Sequence, residues 1–335
     1  MDIVGEIMDR ARRNPKRIVL PEGEDERTLM AAGISSREGI ADIILLGKED
    51  SVRKKASDLN VDVAKMKILD PEMSADLDRY AALYCELRKE KNVNEGMARR
   101  ILRKSLYFGA MMVRVGEADG MVAGAVNLTA SVVRAASLII GLQGDISTPS
   151  SFFLMNKPDF EGGEKGAILF ADVAVNPDPT PPQLADIAIS SARSAKLLFG
   201  WVPRVAMLSF STKGSAYDAL TRKVVEATEI AKKRAPDLLV DGEFQADAAI
   251  VPAVAKKKIS GESPVAGRAN VLVFPDLNAA NIAYKLVQYM GKAEAYGPIL
   301  QGFSKPVSDL SRGATPKDIA GTIAIICVEA QGVPA

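Results

Sequence analysis

Short apolar runs alternate along the chain with longer stretches whose apolar residues recur at helical spacing. The first three runs end at Pro21, at Gly47 and at Asp70, where turn-forming residues follow. This alternation is typical of βαβ units, in which short buried strands are joined by helices. The pattern therefore predicts an α/β fold with largely parallel sheets. The predicted strands are residues 18–20, 43–46, 68–69, 120–122, 167–173, 205–210, 238–240 and 271–274.

Two of the helical stretches begin with a capping signal. Thr180 is followed by two prolines and Gln183, and Thr315 is followed by Pro316 and Asp318. A threonine with an acidic or amide residue three positions later forms a capping box, and proline suits the first helical position. Both stretches therefore predict amphipathic helices that pack on sheets. The predicted buried faces are Leu184, Ile187, Ala188, Ser191, Ala195 and Leu198 in the first helix, and Ile319, Ile323 and Ile326 in the second.

The length of 335 residues fits about two domains at ~150 residues each. Residues 144–151 form the strongest turn-rich cluster near the middle of the chain, and Gly297-Pro298 forms a second break. Both positions are natural places for the chain to pass between domains.

The charge balance excludes several classes of function. The chain carries 43 Lys and Arg against 42 Asp and Glu, a net charge of +1, so bulk attraction to nucleic acid or to an acidic membrane is not expected. The first ten residues contain acids where a signal peptide is basic. No stretch approaches ~18 uncharged apolar residues, the length of a membrane span. The sequence therefore predicts a cytoplasmic protein.

The absence of histidine is the most informative count. It excludes Ser-His-Asp triads, Cys-His dyads and histidine-ligated metals. Cys85 and Cys327 are too few for a cysteine-based zinc site, and both are expected to be reduced thiols. We therefore expect no metal site.

The densest polar segment spans residues 305–318. It offers the hydroxyl of Ser311, the guanidinium of Arg312 and the carboxylate of Asp318 at a helix start. An arginine can bind a phosphate group bidentately, so this segment is a candidate site. The structural alternative for Asp318 is that it only completes the capping box after Thr315.

A second candidate segment, residues 209–215, follows a predicted strand and precedes a predicted helix. Ser211, Thr212 and Lys213 can meet an anion there together with backbone N–H groups. The alternative is that Ser215 caps the helix, with Asp218 three residues further on. The two roles are compatible.

Two arginines elsewhere in the chain also have both a structural and a functional interpretation. Arg134 is the lone charge of an otherwise uncharged stretch, so we expect it to be paired or to lie at a cleft. Arg88 reads most simply as part of a solvated helix face.

The glycines at 116, 120 and 124 predict a strand between tight turns rather than a ligand loop, and the chain contains neither a Walker A nor a dinucleotide-binding glycine motif.

Several long motifs in the chain resemble those of the phosphate acetyltransferase (phosphotransacetylase) family. They span residues 20–28, 116–124, 150–153, 172–177, 203–215, 240–243, 269–278, 305–307 and 311–313. The resemblance implies reversible transfer of acetyl between coenzyme A and phosphate, so that acetyl-CoA and phosphate give acetyl phosphate and CoA. It implies two α/β domains with the active site in a cleft between them, and a homodimer.

In this family the C-terminal segment returns to the first domain. The resemblance therefore predicts one domain of residues 1–145 plus 301–335 and a second domain of residues 146–300, which agrees with the two turn-rich breaks.

The resemblance also assigns roles to individual residues. Ser311, Arg312 and Asp318 match the catalytic serine, arginine and aspartate, and Arg134 matches a catalytic arginine that binds the substrate phosphate. Arg88 matches an arginine implicated in CoA binding. The predicted substrate-binding set is Arg88, Thr129, Ser211, Thr212 and Lys213. Ser308 stands where members often have Asn, and Ala314 where some members have Cys; neither departure removes a group that the implied mechanism needs.

The implied mechanism is direct attack of the CoA thiolate in a ternary complex, with Asp318 as the base and Ser311 as donor to the oxyanion. No cofactor is expected beyond the substrates CoA, acetyl-CoA, acetyl phosphate and phosphate, although the resemblance allows stimulation by a monovalent cation. The alternatives are a phosphate butyryltransferase and a non-catalytic acetyl-CoA-sensing module.

Overall fold

The computed structural model describes residues 3–332. Its strands are β1 (Arg17–Leu20), β2 (Asp42–Leu46), β3 (Lys67–Leu69), β4 (Gly120–Val122), β5 (Ser150–Asn156), β6 (Ala167–Ala171), β7 (Arg204–Leu208), β8 (Leu239–Phe244), β9 (Val271–Val273), β10 (Glu294–Gln301) and β11 (Val307–Ser308). Its α-helices are α1 (Ile3–Arg13), α2 (Glu26–Arg37), α3 (Glu49–Asp58), α4 (Leu77–Leu87), α5 (Glu95–Leu102), α6 (Ser105–Arg114), α7 (Thr129–Ala135), α8 (Pro181–Phe199), α9 (Ala219–Arg234), α10 (Ala246–Ile250), α11 (Pro252–Lys258), α12 (Leu277–Tyr289) and α13 (Pro316–Gln331). A 3₁₀ turn at Lys89–Lys91 and a π-helical turn at Ala136–Ile140 complete them. The predicted α/β fold class is confirmed.

The chain forms two compact units. The central unit is Leu142–Gly302, and the terminal unit contains residues 3–141 and 303–332 of the described chain. No helix within residues 3–332 is long and apolar enough to cross a membrane.

The terminal unit is built on a parallel sheet in the order β3-β2-β1-β4-β11. Val19 of β1 and Val307 of β11 both pair with Met121 of β4. Because neighbouring parallel strands end at the same edge, the segments that follow β1, β4 and β11 emerge close together. This edge carries the candidate site.

Helix α13 is buried on more sides than its sequence predicts. Its capping box of Thr315 and Asp318 is present as predicted, but buried residues continue without interruption from Ile319 to Val328. The helix contacts β1, β4 and β11 as well as α1 and α2. The prediction of an amphipathic helix is therefore wrong for α13, since other helices cover the side that was expected to face water.

Helix α8 of the central unit has the predicted cap and buried residues, but its burial also extends beyond the predicted face, without interruption from Leu184 to Ala192. The capping box of Thr180 and Gln183 is present, and the residues of the predicted apolar face are buried against the sheet. Gly200 ends the helix in the left-handed conformation, which glycine adopts without strain.

The central sheet is mixed, in the order β10-β5-β6-β9-β7-β8. Strands β6, β9, β7 and β8 pair in parallel, whereas β5 is antiparallel to both β6 and β10. The sequence analysis missed β5, β10 and β11. Strand β5 begins inside the turn-rich cluster, and β10 contains Gly297-Pro298, where its pairing with β5 shifts register between Tyr296 and Ile299. Proline is tolerated in a strand at such an irregularity.

Candidate functional site

Three loops of the terminal unit meet at the carboxyl edge of its sheet, after β1, β4 and β11. The strand order changes direction here, since β2 and β3 lie on one side of β1 while β4 and β11 lie on the other. In open α/β sheets such a reversal is the usual position of a ligand site. A cavity of about 680 Å³ adjoins this edge, and its lining includes Glu22, Asp25, Arg27, Lys55 and Asn127.

The buried carboxylate of Glu22, directly after β1, holds the loop that follows β4. Its Oε2 accepts the backbone N–H groups of Gly124 and Ala125 at 2.9 and 2.7 Å. Its Oε1 accepts those of Val126 and Asn127 at 3.0 and 2.7 Å, and also the side-chain amide of Asn127 at 2.8 Å. Because its five donors all come from one short segment, this carboxylate fixes the path of the loop.

Arg27 links two of the three loops. Its Nη1 donates to the carbonyl oxygen of Arg312 at 2.6 Å, and its Nη2 donates to the carbonyl oxygen of Ala125 at 2.7 Å. Asp25, the N-cap of α2, pairs with Nη2 at 3.1 Å and keeps the guanidinium in place. The segment after β4 and the segment after β11 are therefore held by one side chain.

Asp309 makes the second link between these segments. The hydroxyl of Thr129 donates to Oδ2 of Asp309 at 2.5 Å. Gly124, at φ +110°, passes so close that a Cβ atom there would lie 2.1 Å from Oδ1 of Asp309. Burial raises the pKa of Asp309 to about 6 and the charge of Glu22 adds to this, while the Thr129 hydrogen bond, the nearby backbone N–H of Leu310 and the charge of Arg312 act in the opposite direction.

Ser311 and Arg312 lie in an exposed turn that leads into α13. The N–H of Ala314 donates to the carbonyl oxygen of Ser311 at 2.9 Å, and that of Gly313 donates to its hydroxyl at 3.4 Å. Within residues 3–332 the guanidinium of Arg312 has no hydrogen-bond or ion-pair partner. The turn therefore presents one hydroxyl and one guanidinium to solvent.

Arg134 is also exposed, in the last turn of α7, the helix that begins at Thr129. No hydrogen bond or ion pair ties its side chain to another described residue. Of the two alternatives that the sequence left for this lone charge, pairing or a place at a cleft, pairing is not found among the described residues.

Asp318 fills the capping role that the sequence allows. Its Oδ2 accepts the N–H and the hydroxyl of Thr315 at 2.9 and 2.7 Å. Among the described residues, none donates to Oδ1. One carboxylate oxygen therefore caps the helix while the other stays available as an acceptor, so capping and a catalytic role are compatible in this geometry.

Arg88 is not joined by hydrogen bonds to the other predicted site residues of the described chain. It is half-buried at the junction of α4 and the 3₁₀ turn, and none of the hydrogen bonds of the described chain joins it to Ser311, Arg312 or Arg134. Its assignment to CoA remains a prediction from the resemblance.

The remaining predicted residues belong to the central unit, where their side chains are engaged internally. Ser211 donates to the buried carboxylate of Glu243 at 2.7 Å, and the N–H of Gly214 donates to the same oxygen at 2.8 Å. The hydroxyl of Thr212 accepts the N–H of Gln245 at 3.0 Å. The hydroxyl of Ser211 and the N–H of Gly214 thus bind the carboxylate of Glu243 rather than an external anion.

Lys213 is held in the same way. Its ammonium group pairs with Asp241 at 2.6 Å and donates to the carbonyl oxygen of Gly242 at 2.8 Å. The helix that follows begins at Ala219 with Asp218 as its N-cap, in a capping box with Thr221. The expectation that Ser215 caps this helix is therefore wrong. The candidate segment, residues 209–215, ends before the N-terminus of the helix.

The sequence analysis did not single out Glu22, Arg27 or Asp309. Arg27 lies in the first turn of α2, and Asp309 follows β11, which the sequence did not predict, so neither carried a clear signal. Glu22 did carry one, because it stands in the turn after a predicted strand. In a parallel sheet that position is the one at which functional side chains gather. Within residues 3–332 no group of His, Cys, Asp and Glu is arranged to hold a metal ion.

Comparison with known proteins decides the family. The family model described as "Phosphate acetyl/butaryl transferase" matches residues 2–327. The chain belongs to this family. It is therefore an acyltransferase, and the predicted family and enzyme class are confirmed.

Full-length members of the family are closely similar to the chain. The phosphate acetyltransferase of Thermoanaerobacterium thermosaccharolyticum is 53% identical over 331 residues, which cover 99% of this chain and 100% of that protein. The phosphate acetyltransferase of Clostridium acetobutylicum is 49% identical, with 99% of each chain covered. Among solved structures, a phosphotransacetylase from Streptococcus pyogenes superposes with a TM-score of 0.92 at 43% identity, with 98% of each chain covered.

Proposed function

We propose that this protein catalyses the reversible transfer of acetyl between coenzyme A and phosphate. The observation that carries the proposal is the segment after β11, which presents an exposed serine hydroxyl, an exposed arginine and an aspartate within eight residues. One oxygen of that aspartate accepts no hydrogen bond from the described residues. The full-length relatives named phosphate acetyltransferase support acetyl as the group transferred.

The proposed chemistry is a single displacement at the acetyl carbonyl of acetyl phosphate. Oδ1 of Asp318 accepts the proton of the CoA thiol as the sulfur attacks. A carbon–sulfur bond forms, the bond between the carbonyl carbon and the phosphate oxygen breaks, and inorganic phosphate leaves. The hydroxyl of Ser311 donates a hydrogen bond to the carbonyl oxygen while it carries negative charge, an effect worth about 3 kcal/mol in comparable sites.

The two exposed arginines supply the positive charge that this reaction needs. Arg134 and Arg312 have no side-chain partners within residues 3–332, so neither must break an ion pair before it binds a phosphoryl group. Guanidinium groups bind phosphate oxygens bidentately, which both orients acetyl phosphate and neutralises the leaving phosphate. Arg88 is proposed to contact CoA, with its 3′-phosphate as the matching charge.

The test is thioester formation from acetyl phosphate and CoA, with butyryl phosphate in a parallel reaction. Fast acetyl turnover with slow butyryl turnover is the expected result. Faster butyryl turnover would favour phosphate butyryltransferase. Binding of CoA without turnover on either substrate would favour the acetyl-CoA-sensing module and overturn the proposal.

No cofactor is proposed beyond these substrates, and stimulation by a monovalent cation is tested by comparing turnover in potassium, sodium and tetramethylammonium salts. The two cysteines are free thiols, which fits the proposed cytoplasmic location.

A homodimer is proposed on the basis of an apolar face of α12. Ile282, Leu286, Tyr289 and Met290 follow one another at helical spacing and are 58, 50, 76 and 79% exposed. Such a face is typical of an interface. Leu286→Glu should lower the mass measured by light scattering from dimer to monomer, whereas Leu220→Glu, on the exposed start of α9, should not; an unchanged mass for Leu286→Glu contradicts this interface.

A further inference from the structure

Asp309 lies where the two segments that carry the proposed catalytic groups come together. On one side, its Oδ2 accepts the hydroxyl of Thr129, the first residue of α7, at 2.5 Å. On the other side, it directly precedes Leu310 and the turn that presents Ser311 and Arg312. Arg134 lies on the same short helix as Thr129, five residues further along.

The packing around Asp309 allows its carboxyl group little movement. The residue is only 1% exposed, and its Oδ1 is buried without a hydrogen-bond partner among residues 3–332. Gly124 lies against Oδ1, since even a methyl group at that position would overlap it. The Thr129 bond is therefore held in one geometry.

This environment is unfavourable for a carboxylate whose only role is to stabilise the fold. A buried carboxyl oxygen without a donor costs stability, and burial already raises the pKa of the group. The second buried carboxylate of the same edge, Glu22, receives five donors by contrast. Burial of Asp309 therefore lowers the stability of the fold. Its one side-chain hydrogen bond among the described residues is with the helix that carries Arg134.

We infer that Asp309 is a positioning residue for the proposed acyl transfer. By accepting the Thr129 hydroxyl it fixes the start of α7, and with it Arg134, relative to Ser311 and Arg312. The inference rests on the proposed function. Asp309 does not touch substrate in this account, and it acts through the three residues whose relative placement it sets.

The experiment measures kcat, KM and unfolding for Asp309→Ala, Thr129→Val and the double variant, after the wild-type protein has been assayed. Each single variant should lower kcat by about tenfold or more, because small displacements of catalytic groups carry penalties of that size. The double variant should be no slower than the slower single variant, since both changes remove the same link. In Asp309→Ala, KM for CoA should change by less than about threefold, because every residue of the predicted substrate-binding set is present in that variant.

Two conservative variants and one control separate positioning from general destabilisation. Thr129→Ser and Asp309→Asn each keep a group that can form the link, so both should recover most of the lost kcat. Asp119→Ala removes the aspartate that pairs with Arg17 at the opposite edge of the same sheet, and it should lower stability but not kcat.

Five outcomes decide the inference. Wild-type kcat in Asp309→Ala, or additive losses in the double variant, would overturn it while leaving the proposed function intact. Absence of turnover in the wild-type protein would overturn the proposed function and the inference with it. If Asp309→Ala does not fold, the two Thr129 variants decide. A lowered kcat in Thr129→Val with a recovered kcat in Thr129→Ser supports the link, and an equal kcat in both variants overturns it.

Discussion

Arg27 donates a hydrogen bond of 2.6 Å to the backbone carbonyl of Arg312, a residue 285 positions later in the sequence. The same guanidinium binds the carbonyl oxygen of Ala125, so one side chain spans the loops after β4 and β11. Both contacts reach backbone atoms, which means that Arg27 sets the course of the chain around the proposed catalytic turn whatever side chain stands at position 312.

Replacing Arg27 by glutamine should therefore reduce turnover. We expect kcat to fall by about tenfold or more, since the turn of Ser311 and Arg312 loses its anchor. The matched control is Arg17→Gln, because Arg17 makes similar bonds to Asp119 and to the carbonyl of Gly116 at the opposite edge of the sheet. Steady-state kinetics and urea unfolding of both variants test this. Equal losses of kcat in the two variants would show that only overall stability matters.

Asp318→Asn should abolish most of the activity while Thr315→Val should not. Loss of the base is expected to reduce kcat by about 10²- to 10⁴-fold. Thr315→Val removes the partner of Asp318 in the capping box and should cost about 1 kcal/mol of unfolding free energy. Rate measurements and thermal unfolding separate the two roles. If both variants lose the same stability and neither loses activity, Asp318 is only a cap.

Ser211→Ala should affect the stability of the central unit rather than substrate affinity. The change removes one donor from the buried carboxylate of Glu243, which costs about 1–3 kcal/mol. KM for CoA and for acetyl phosphate should stay at the wild-type value, and saturation kinetics measure both. A severalfold rise of either KM would instead favour the prediction that residues 211–213 bind substrate.

Glu329→Gln should stabilise the protein at high pH. Burial raises the pKa of Glu329 to about 8, and its Oε2 has no hydrogen-bond partner among residues 3–332. The folded chain therefore holds this proton more tightly than the unfolded chain, so the free energy of unfolding falls as pH rises from about 4.5 to about 8. The glutamine variant does not titrate at this position, so its free energy of unfolding does not fall for this reason.

The expected gain in Tm at pH 8.5 is about 3 °C, which corresponds to roughly 2 kcal/mol in a chain of this size. At pH 4.5 the two proteins should differ little, because Glu329 is then neutral in the fold. Scanning calorimetry at both pH values checks this. A gain of the same size at pH 4.5 would point to packing rather than to proton binding.

Local features account for the parts of the structure that the sequence predicted well. The capping boxes at Thr180 and Thr315 lie within four residues of chain, and each marks the start of its helix as expected. The predicted strand at residues 120–122 coincides with β4, and the left-handed glycines at 116 and 124 lie in the turns around it. Such signals need no information from distant residues.

Strands β5 and β10 show why other elements were missed. Both contain residues that favour turns, and each is held in a strand by pairing with the other across about 140 residues of sequence. Local propensity was overridden there by tertiary pairing and by complete burial of β5.

The same distinction applies to the candidate site. The sequence by itself determined the fold class, the absence of histidine chemistry, and, through its resemblance to a family, the residues to which catalytic roles are assigned. Only the tertiary structure decided that Glu22, Arg27 and Asp309 hold the surrounding loops, and that the carboxylate of Glu243 accepts hydrogen bonds from Ser211 and Gly214. The physical reason is that a side chain's partner is chosen by proximity in space, and the partners here lie as far as 285 residues apart in the chain.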